Sequence, residues 1–529
     1  MDRRQFIQSS GKAGLFFLLN PYSYNAANVV VENLVIGTGY GGAVTALRLT
    51  QAGHQVTMLE MGLDWDNNPA AVKPFSNMGS PSNNSTWLSN TTKAPFFNIT
   101  TFSEQYTGIL DRWDFEHVKI YMGRGVGGGS LVNGGMSVTP KRPYFEEVFP
   151  NLDSDAFYNE FFPLANATLK VNVINNELYN NSDYYKFSRV GVAEAQNAGF
   201  PTVKVPNVYD FDYMHKEEYE NAPPSAMAQE VIYGNNHGKN SLEKTYIQQA
   251  RATGLLTIHD LHQVDTIKQR VDGRYEVEIS ILSTDGTIVG YKKMITNRLF
   301  MAAGSLGTTK LLLKARKTGT LPNLDATIGE KWGNNGNIMA GRWSVNTIFN
   351  PIETGQNDGR GTGEQQATIP VDGIDNWDDT TFPYFVEIAP FPTGIEGYAS
   401  LYLLINRTPE LGKLHYSKDN NYEIIPEWNE THNANMVTNA FNFLDRMIAA
   451  NGGTYTGVFD NGIGPDICYH PLGGCVIGHA TDNYGRVNHH TGLYVMDGAL
   501  VPGTIGVNPY VTITALAEHN IQTILAEDF

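Results

Sequence analysis

Asn33-Leu-Val-Ile-Gly37-Thr-Gly39-Tyr40-Gly41-Gly42 spaces its glycines as a dinucleotide requires. An apolar run from Val29 ends in Gly-x-Gly-x-x-Gly, a helical stretch follows, and a second apolar run, Val56-Thr-Met-Leu, ends in Glu60. Gly37 allows a tight turn from strand into helix. Gly39 lets backbone N–H groups approach a pyrophosphate, and Gly42 lets the helix pack close to the sheet. The pyrophosphate then rests on the positive end of the helix. Glu60 is placed to accept from a ribose 2′-hydroxyl, which disfavours a 2′-phosphate and hence NADP. Glycine-rich turns are common, so the triplet alone says little. Strand, helix, strand and acid in this order carry the assignment.

Two further glycine-rich stretches could approach the same ligand. Met122-Gly-Arg-Gly125-Val-Gly-Gly-Gly129-Ser130-Leu-Val-Asn133-Gly134-Gly135-Met136 can bring backbone N–H groups against a bound ring. Ala302-Ala-Gly304-Ser-Leu-Gly307 is a second strand–turn–helix junction. Cys468 and Cys475 are the two cysteines. They could pair around Gly473-Gly474, or stand as two buried thiols that behave as small hydrophobes. No Cys, His and carboxylate cluster has metal-ligand spacing, so no catalytic metal is expected.

These signatures must be positioned by a large scaffold. At 529 residues, the chain calls for two domains. Hydrophobic content of 41% is globular, and a net charge of −17 without a basic run argues against nucleic acid. Asp2-Arg3-Arg4-Gln5-Phe6-Ile7 and the apolar Ala13–Leu19 resemble a bacterial twin-arginine export segment. Residues 1–27 are read as that segment, giving a periplasmic or secreted protein, and Asn84 and Asn98 as polar loop positions. Two adjacent arginines in a mature N-terminus would be the plain alternative.

Residues 255–304 alternate as strands at Leu255–His259, Val264–Gln269, Tyr275–Ser280, Ile288–Lys293 and Arg298–Ala302. Further strands are expected at Phe385–Pro390 and Ala399–Leu404, with helices after Thr308, near Asn439–Ala450 and from Thr512. Binding signatures scattered from Gly37 to Thr514 imply two interleaved domains with a ligand at their interface. The α/β dinucleotide-binding domain takes 28–62, 121–150, 235–320 and 461–529. The substrate domain takes 63–120, 151–234 and 321–460.

The chain resembles the flavin-dependent glucose–methanol–choline (GMC) oxidoreductases, and within them the bacterial cholesterol oxidases that hold FAD non-covalently. The resemblance spans nearly everything after residue 28. Besides the glycine motifs, it rests on Val205-Pro-Asn-Val-Tyr-Asp210, Val231-Ile-Tyr-Gly-Asn-Asn-His-Gly-Lys239, Phe385-Val-Glu-Ile-Ala-Pro390, Cys468-Tyr-His-Pro-Leu-Gly-Gly-Cys475 and Gly506-Val-Asn-Pro-Tyr-Val-Thr-Ile-Thr-Ala515. It implies a Rossmann-like FAD domain under a β-sheet roof carried by an α+β substrate domain. It places substrate-hydroxyl binding on His470 and Asn508, and a steroid-ring base on Glu387. Met136 and Phe385, with Asn508, would shape the oxygen route. FAD contacts would fall on Gly37, Gly39, Tyr40, Gly41, Gly42, Glu60, Gly125, Gly129, Ser130, Asn133, Gly134, Gly135, Met136, Val264, Gly304, His470, Asp497, Gly498, Asn508, Pro509, Tyr510 and Thr512. Ala499 and Tyr510 depart from the usual Ser and Phe, away from the expected chemistry. The loops at 63–100 and 345–365 look less standard, and substrate preference would be set there.

The implied reaction is oxidation of a 3β-hydroxysteroid by oxygen with release of peroxide, followed by Δ5-to-Δ4 isomerisation. The flavin takes the hydride, while protein groups handle the hydroxyl. His470 would serve as base or hydrogen-bond partner, or be a structural histidine. A carboxylate in the apolar run around Glu387 is costly to bury unless paired or raised in pKa, unless it lies on the polar face of a half-exposed strand. A monomer touching membranes transiently through residues 75–100 is expected. A flavin dehydrogenase of another bulky apolar alcohol, and a sterol- or membrane-binding protein with a structural flavin, are the alternatives.

Overall fold

The computed structural model describes residues 28–73, 75, 76, 80–93, 100–223, 225–228, 230, 232–343, 369–390, 399–408, 410–457 and 459–529. The export segment 1–27, Asn98 and the loop at 345–365 lie outside the described residues. In chain order, β1 (Val29–Ile36), α1 (Tyr40–Gln51) and β2 (Val56–Leu59) come first, then the hairpin β3 (Leu110–Asp114) and β4 (Lys119–Gly123). Next are β5 (Leu256–His259), β6 (His262–Gln269), β7 (Tyr275–Leu282), β8 (Ile288–Met301) and α2 (Gly304–Thr318). β9 (Asn337–Trp343), β10 (Asp372–Asp375), β11 (Tyr384–Ala389), β12 (Ala399–Asn406) and α3 (Glu430–Asn451) follow, then β13 (Ile467–Cys468), β14 (Leu493–Val495) and α4 (Tyr510–Glu527).

A floor sheet runs β5-β2-β1-β8-β7-β6, with β14 also on β8. β5, β2, β1, β8 and β14 are parallel, as βαβ connections demand. Val35 and Ile36, buried with Leu34, sit opposite Met58 and Leu59 on one side and Phe300 and Met301 on the other. The strands predicted at Ile288–Lys293 and Arg298–Ala302 form one strand, β8. Its first half pairs antiparallel with β7 and its second half parallel with β1. The polar Thr296-Asn297-Arg298 break in hydropathy marks this change of partner, not a turn. α1 is buried almost throughout, and α4 packs over it, with Arg48 donating to both Glu518 oxygens at 2.7 Å.

The second, antiparallel sheet runs β9-β12-β11-β10, with short edge strands at 454–455 and 202–204. Alternation along β11 sends Tyr384, Val386 and Ile388 into the main core, while Phe385, Glu387 and Ala389 share the opposite face. α3 backs this sheet and starts two turns before the predicted Asn439, where Asn429 and His432 form a capping box. No described helix is long and apolar enough to cross a membrane.

Candidate active site

A cavity of ≈ 450 Å³ lies between the floor and the second sheet, which roofs it. Its floor is built by the strand–helix turn after β1. Gly37 has φ +98°, and a Cβ there would sit 2.2 Å from Ala302 O. A Cβ on Gly42 would sit 2.3 Å from Gly37 O, so this glycine lets α1 approach the sheet. Gly39 differs: its φ is an ordinary −69°, and a Cβ would meet nothing within 4 Å. Gly129 and Gly304 are equally open, and both line the cavity. The first turn of α1 has no side-chain cap and no acid, so its N–H groups are available to an anion. Glu60 Oε2 accepts from Thr38 Oγ1 (2.7 Å) and Thr38 N (3.2 Å), and Oε1 accepts from Gly62 N (3.0 Å). Asn133 donates to Tyr40 OH at 2.5 Å, while its buried Oδ1 has no partner. Tyr40 stacks on Tyr510, with centroids 4.9 Å apart. Asp497 receives Gly304 N, Thr308 Oγ1 and Ala499 N at 2.8, 2.5 and 2.9 Å, and burial raises its pKa to about 6. Open glycines, an uncapped helix end and an orphaned amide oxygen fit a dinucleotide.

Glu387, His470 and Asn508 all line this cavity. Asn508 Nδ2 donates to Glu387 Oε1 at 2.6 Å, and the buried Asn508 Oδ1 has no partner. Glu387 is no half-exposed strand position. Burial pushes its pKa up to about 7, with the Asn508 bond opposing. His470 Nδ1 faces Asn337 Nδ2 at 3.0 Å and Asn335 Nδ2 at 3.5 Å. Both amides are oriented by backbone: Tyr469 N donates to Asn337 Oδ1 (3.1 Å), Ile505 N to Asn335 Oδ1 (2.8 Å), and Asn335 Nδ2 to Val507 O (2.8 Å). Nδ1 is therefore an acceptor, and the proton of the neutral ring sits on Nε2. Burial, which lowers the His470 pKa to about 3, keeps the ring neutral. The expectation of His470 as a possible base is corrected accordingly: its Nε2–H is a donor.

Of the remaining expected residues, Gly41, Gly134, Gly135, Met136, Val264, Gly498 and Pro509 reach the cavity wall, whereas Gly42, Gly125, Ser130, Thr512 and Phe385 do not. Gly42 is consumed by helix–sheet packing. Gly125 lies against Trp65, and a Cβ there would be 2.8 Å from Trp65 Nε1. Ser130 Oγ donates to Gly127 O (2.7 Å) and accepts from Leu242 N (3.1 Å), holding the turn together. Thr512 is fully buried in the first turn of α4. Phe385 packs with Met136, Val205, Ile405 and Val507 in an apolar cluster behind the wall. Sequence reasoning missed Thr38, Asn335, Asn337 and the roof residues Met339, Leu401 and Leu403. The amide-rich run Asn334-Asn-Gly-Asn337 was the available signal for two of them. The thiols of Cys468 and Cys475 are free and buried.

This arrangement is similar to that of the GMC oxidoreductases, a family of flavoproteins. Residues 335–459 match the family described as GMC oxidoreductase, C-terminal, and residues 410–517 match GMC oxidoreductase. The chain is 24% identical to a cholesterol oxidase of Acinetobacter baumannii, over 96% of each chain. It is 25% identical to a cholesterol oxidase of Mycobacterium tuberculosis, covering 92% of this chain and 89% of that one. Its fold is that of pyridoxine 4-oxidase from Mesorbium loti, with TM-score 0.63, 13% identity, and coverage of 94% of this chain and 99% of that one.

Proposed function

We propose that the protein is an FAD-dependent 3β-hydroxysteroid oxidase that reduces oxygen to hydrogen peroxide and carries Δ5-to-Δ4 isomerase activity. The carrying observation is the unpartnered Asn508 Oδ1 in the cavity that the His470 ring also lines. An alcohol hydroxyl offers one hydrogen and two lone pairs. It donates to Asn508 Oδ1 and accepts from His470 Nε2–H, so the pair holds a hydroxyl from both sides. Non-covalently bound FAD, when present, supplies the acceptor for the hydride leaving carbon. The proton leaving oxygen does not pass to His470 Nε2, which already holds one; it is released to solvent water and is taken up again when oxygen is reduced to hydrogen peroxide. Glu387, ionising near neutrality, takes a proton from steroid C4 and returns it at C6, moving the double bond into conjugation. The aliphatic roof of Met339, Leu401 and Leu403 suits a polycyclic apolar substrate, and the names of the two relatives favour a sterol. The Arg3-Arg4 segment supports twin-arginine export of a loaded, folded monomer that meets its sterol at a membrane surface.

The test is cholesterol in detergent under air, with peroxide release and ultraviolet absorbance of the conjugated enone followed together. Both signals are expected. Peroxide without enone removes the role of Glu387. Yellow protein that gives neither signal removes the sterol oxidase reading in favour of a dehydrogenase or another alcohol.

A further inference from the structure

α2 presents Gly304, Gly307 and Lys310 to the cavity, one turn apart. A Cβ on Gly304 would meet nothing within 4 Å, and one on Gly307 only Ala303 Cβ at 3.0 Å. This face is flat for two turns and then ends in an ammonium. Lys310 Nζ lies 5.8 Å from the centre of the Trp113 ring. Among the described residues nothing hydrogen-bonds or ion-pairs with it, although burial presses its pKa down. The nearby acids are engaged elsewhere. Glu423 holds Lys314 at 2.9 and 3.0 Å, and Asp265 accepts from Gln263 (3.0 Å) and Ser280 (2.6 Å). Asp111 accepts from Arg124 at 3.0 and 2.7 Å, and from the Trp113 indole N–H at 3.1 Å.

This is the Glu60 end of the cavity. Gly125 N donates to Glu60 Oε1 at 3.4 Å, and the neighbouring Arg124 guanidinium also lies 5.8 Å from the Trp113 ring. A half-buried cation that no described residue neutralises is costly unless a ligand supplies acceptor atoms. We propose that Lys310 is a positioning residue for the AMP half of the flavin dinucleotide: its ammonium donates to an acceptor atom of that half, which lies along the flat face at Gly304 and Gly307. The proposal rests on the flavin-binding reading above.

The experiment compares full-length wild type, Lys310→Met and Lys310→Arg. Each is stripped of flavin and titrated with FAD and with FMN, which lacks the AMP half, by flavin fluorescence. Lys310→Met should weaken FAD about tenfold, the loss expected of one charge-assisted hydrogen bond, and leave FMN within about twofold. Lys310→Arg should keep most of the FAD affinity. An unchanged FAD affinity in Lys310→Met, or an equal loss for FMN, overturns the proposal. A second measurement needs only wild type: AMP should displace FAD, less well as salt rises, and failure to compete overturns the proposal even if Lys310→Met does not fold. A wild type that binds neither FAD nor FMN overturns the flavin reading itself, a different failure.

Discussion

Glu60 in the floor and Glu387 in the roof are each 7% exposed, yet they are built for opposite tasks. Glu60 accepts from Thr38 N and Oγ1, Gly62 N and Gly125 N. Glu387 has one donor, the Asn508 amide. A carboxylate ringed by donors is fixed in place as an acceptor. One with a single amide in an apolar wall sits near its own titration. Burial alone does not make a proton-transfer group; what matters is how much of the lost hydration the protein replaces.

The sharpest way to break this contrast is Glu387→Gln. Enone formation should fall about 10³-fold, within the span of general base catalysis, while peroxide release stays within about tenfold. An equal fall in both would make Glu387 part of the oxidation. In wild type the isomerisation rate should rise with pH through about 7, as Glu387 ionises.

The floor's counterpart is the pair Gly37 and Gly39. Gly39→Val should keep the circular dichroism of the wild type and lose flavin affinity by about 10²-fold, since its side chain enters only the cavity (about 3 kcal/mol of steric and lost contact cost). Gly37→Val should fail to fold, because its Cβ would overlap the Ala302 carbonyl. Retained flavin in Gly39→Val would mean that the cradle lies elsewhere.

Asn337 tests how the roof side presents His470. Asn337→Leu should slow flavin reduction about tenfold by removing the donor to Nδ1. Asn337→Asp should slow it further, because an acceptor facing Nδ1 draws the ring proton away from Nε2. Stopped-flow reduction by substrate reads both, and an Asp variant as fast as wild type would refute the tautomer.

The smallest effect is on stability. The folded pKa of Glu387 is raised from 4.5 to about 7, so its ionisation penalises the fold. The penalty is absent below about 4.5, grows as pH rises and is complete above about 7, reaching about 3 kcal/mol. Glu387→Gln should therefore melt a few degrees above wild type at pH 8 and level with it at pH 4. Parallel melting curves across pH would show that Glu387 is not held uncharged.

The floor was largely legible because β1, α1, β2 and Glu60 are contiguous, and Gly37 and Gly42 answer local steric demands. Gly37 and Gly42 make the tight turn and the close helix approach that their spacing implies, while Gly39 stands open to the cavity. That Glu387 and Asn508 line one site was legible only through family motifs, since Asn508 meets Glu387 across 121 positions of sequence. No local periodicity reports such a contact. The tautomer of His470 was invisible, because it is decided by two amides and the backbone atoms that orient them. Lys310 resembled any basic residue in a helix, and only the lack of a counter-charge among the described residues sets it apart.

α4 lies over α1, and β14 completes the floor beside β8. For a chain emerging from the ribosome, this closure is an order of assembly. The nucleotide-binding turn near residue 37 is made early, but its back stays uncovered until the segment around Glu518 arrives to meet Arg48. Asn508 reaches Glu387 in that same late stretch. A product halted before residue 493 has the opening motif but neither β14 nor the amide that completes the proposed centre. Premature termination should yield a chain unable to produce peroxide, not a slow oxidase.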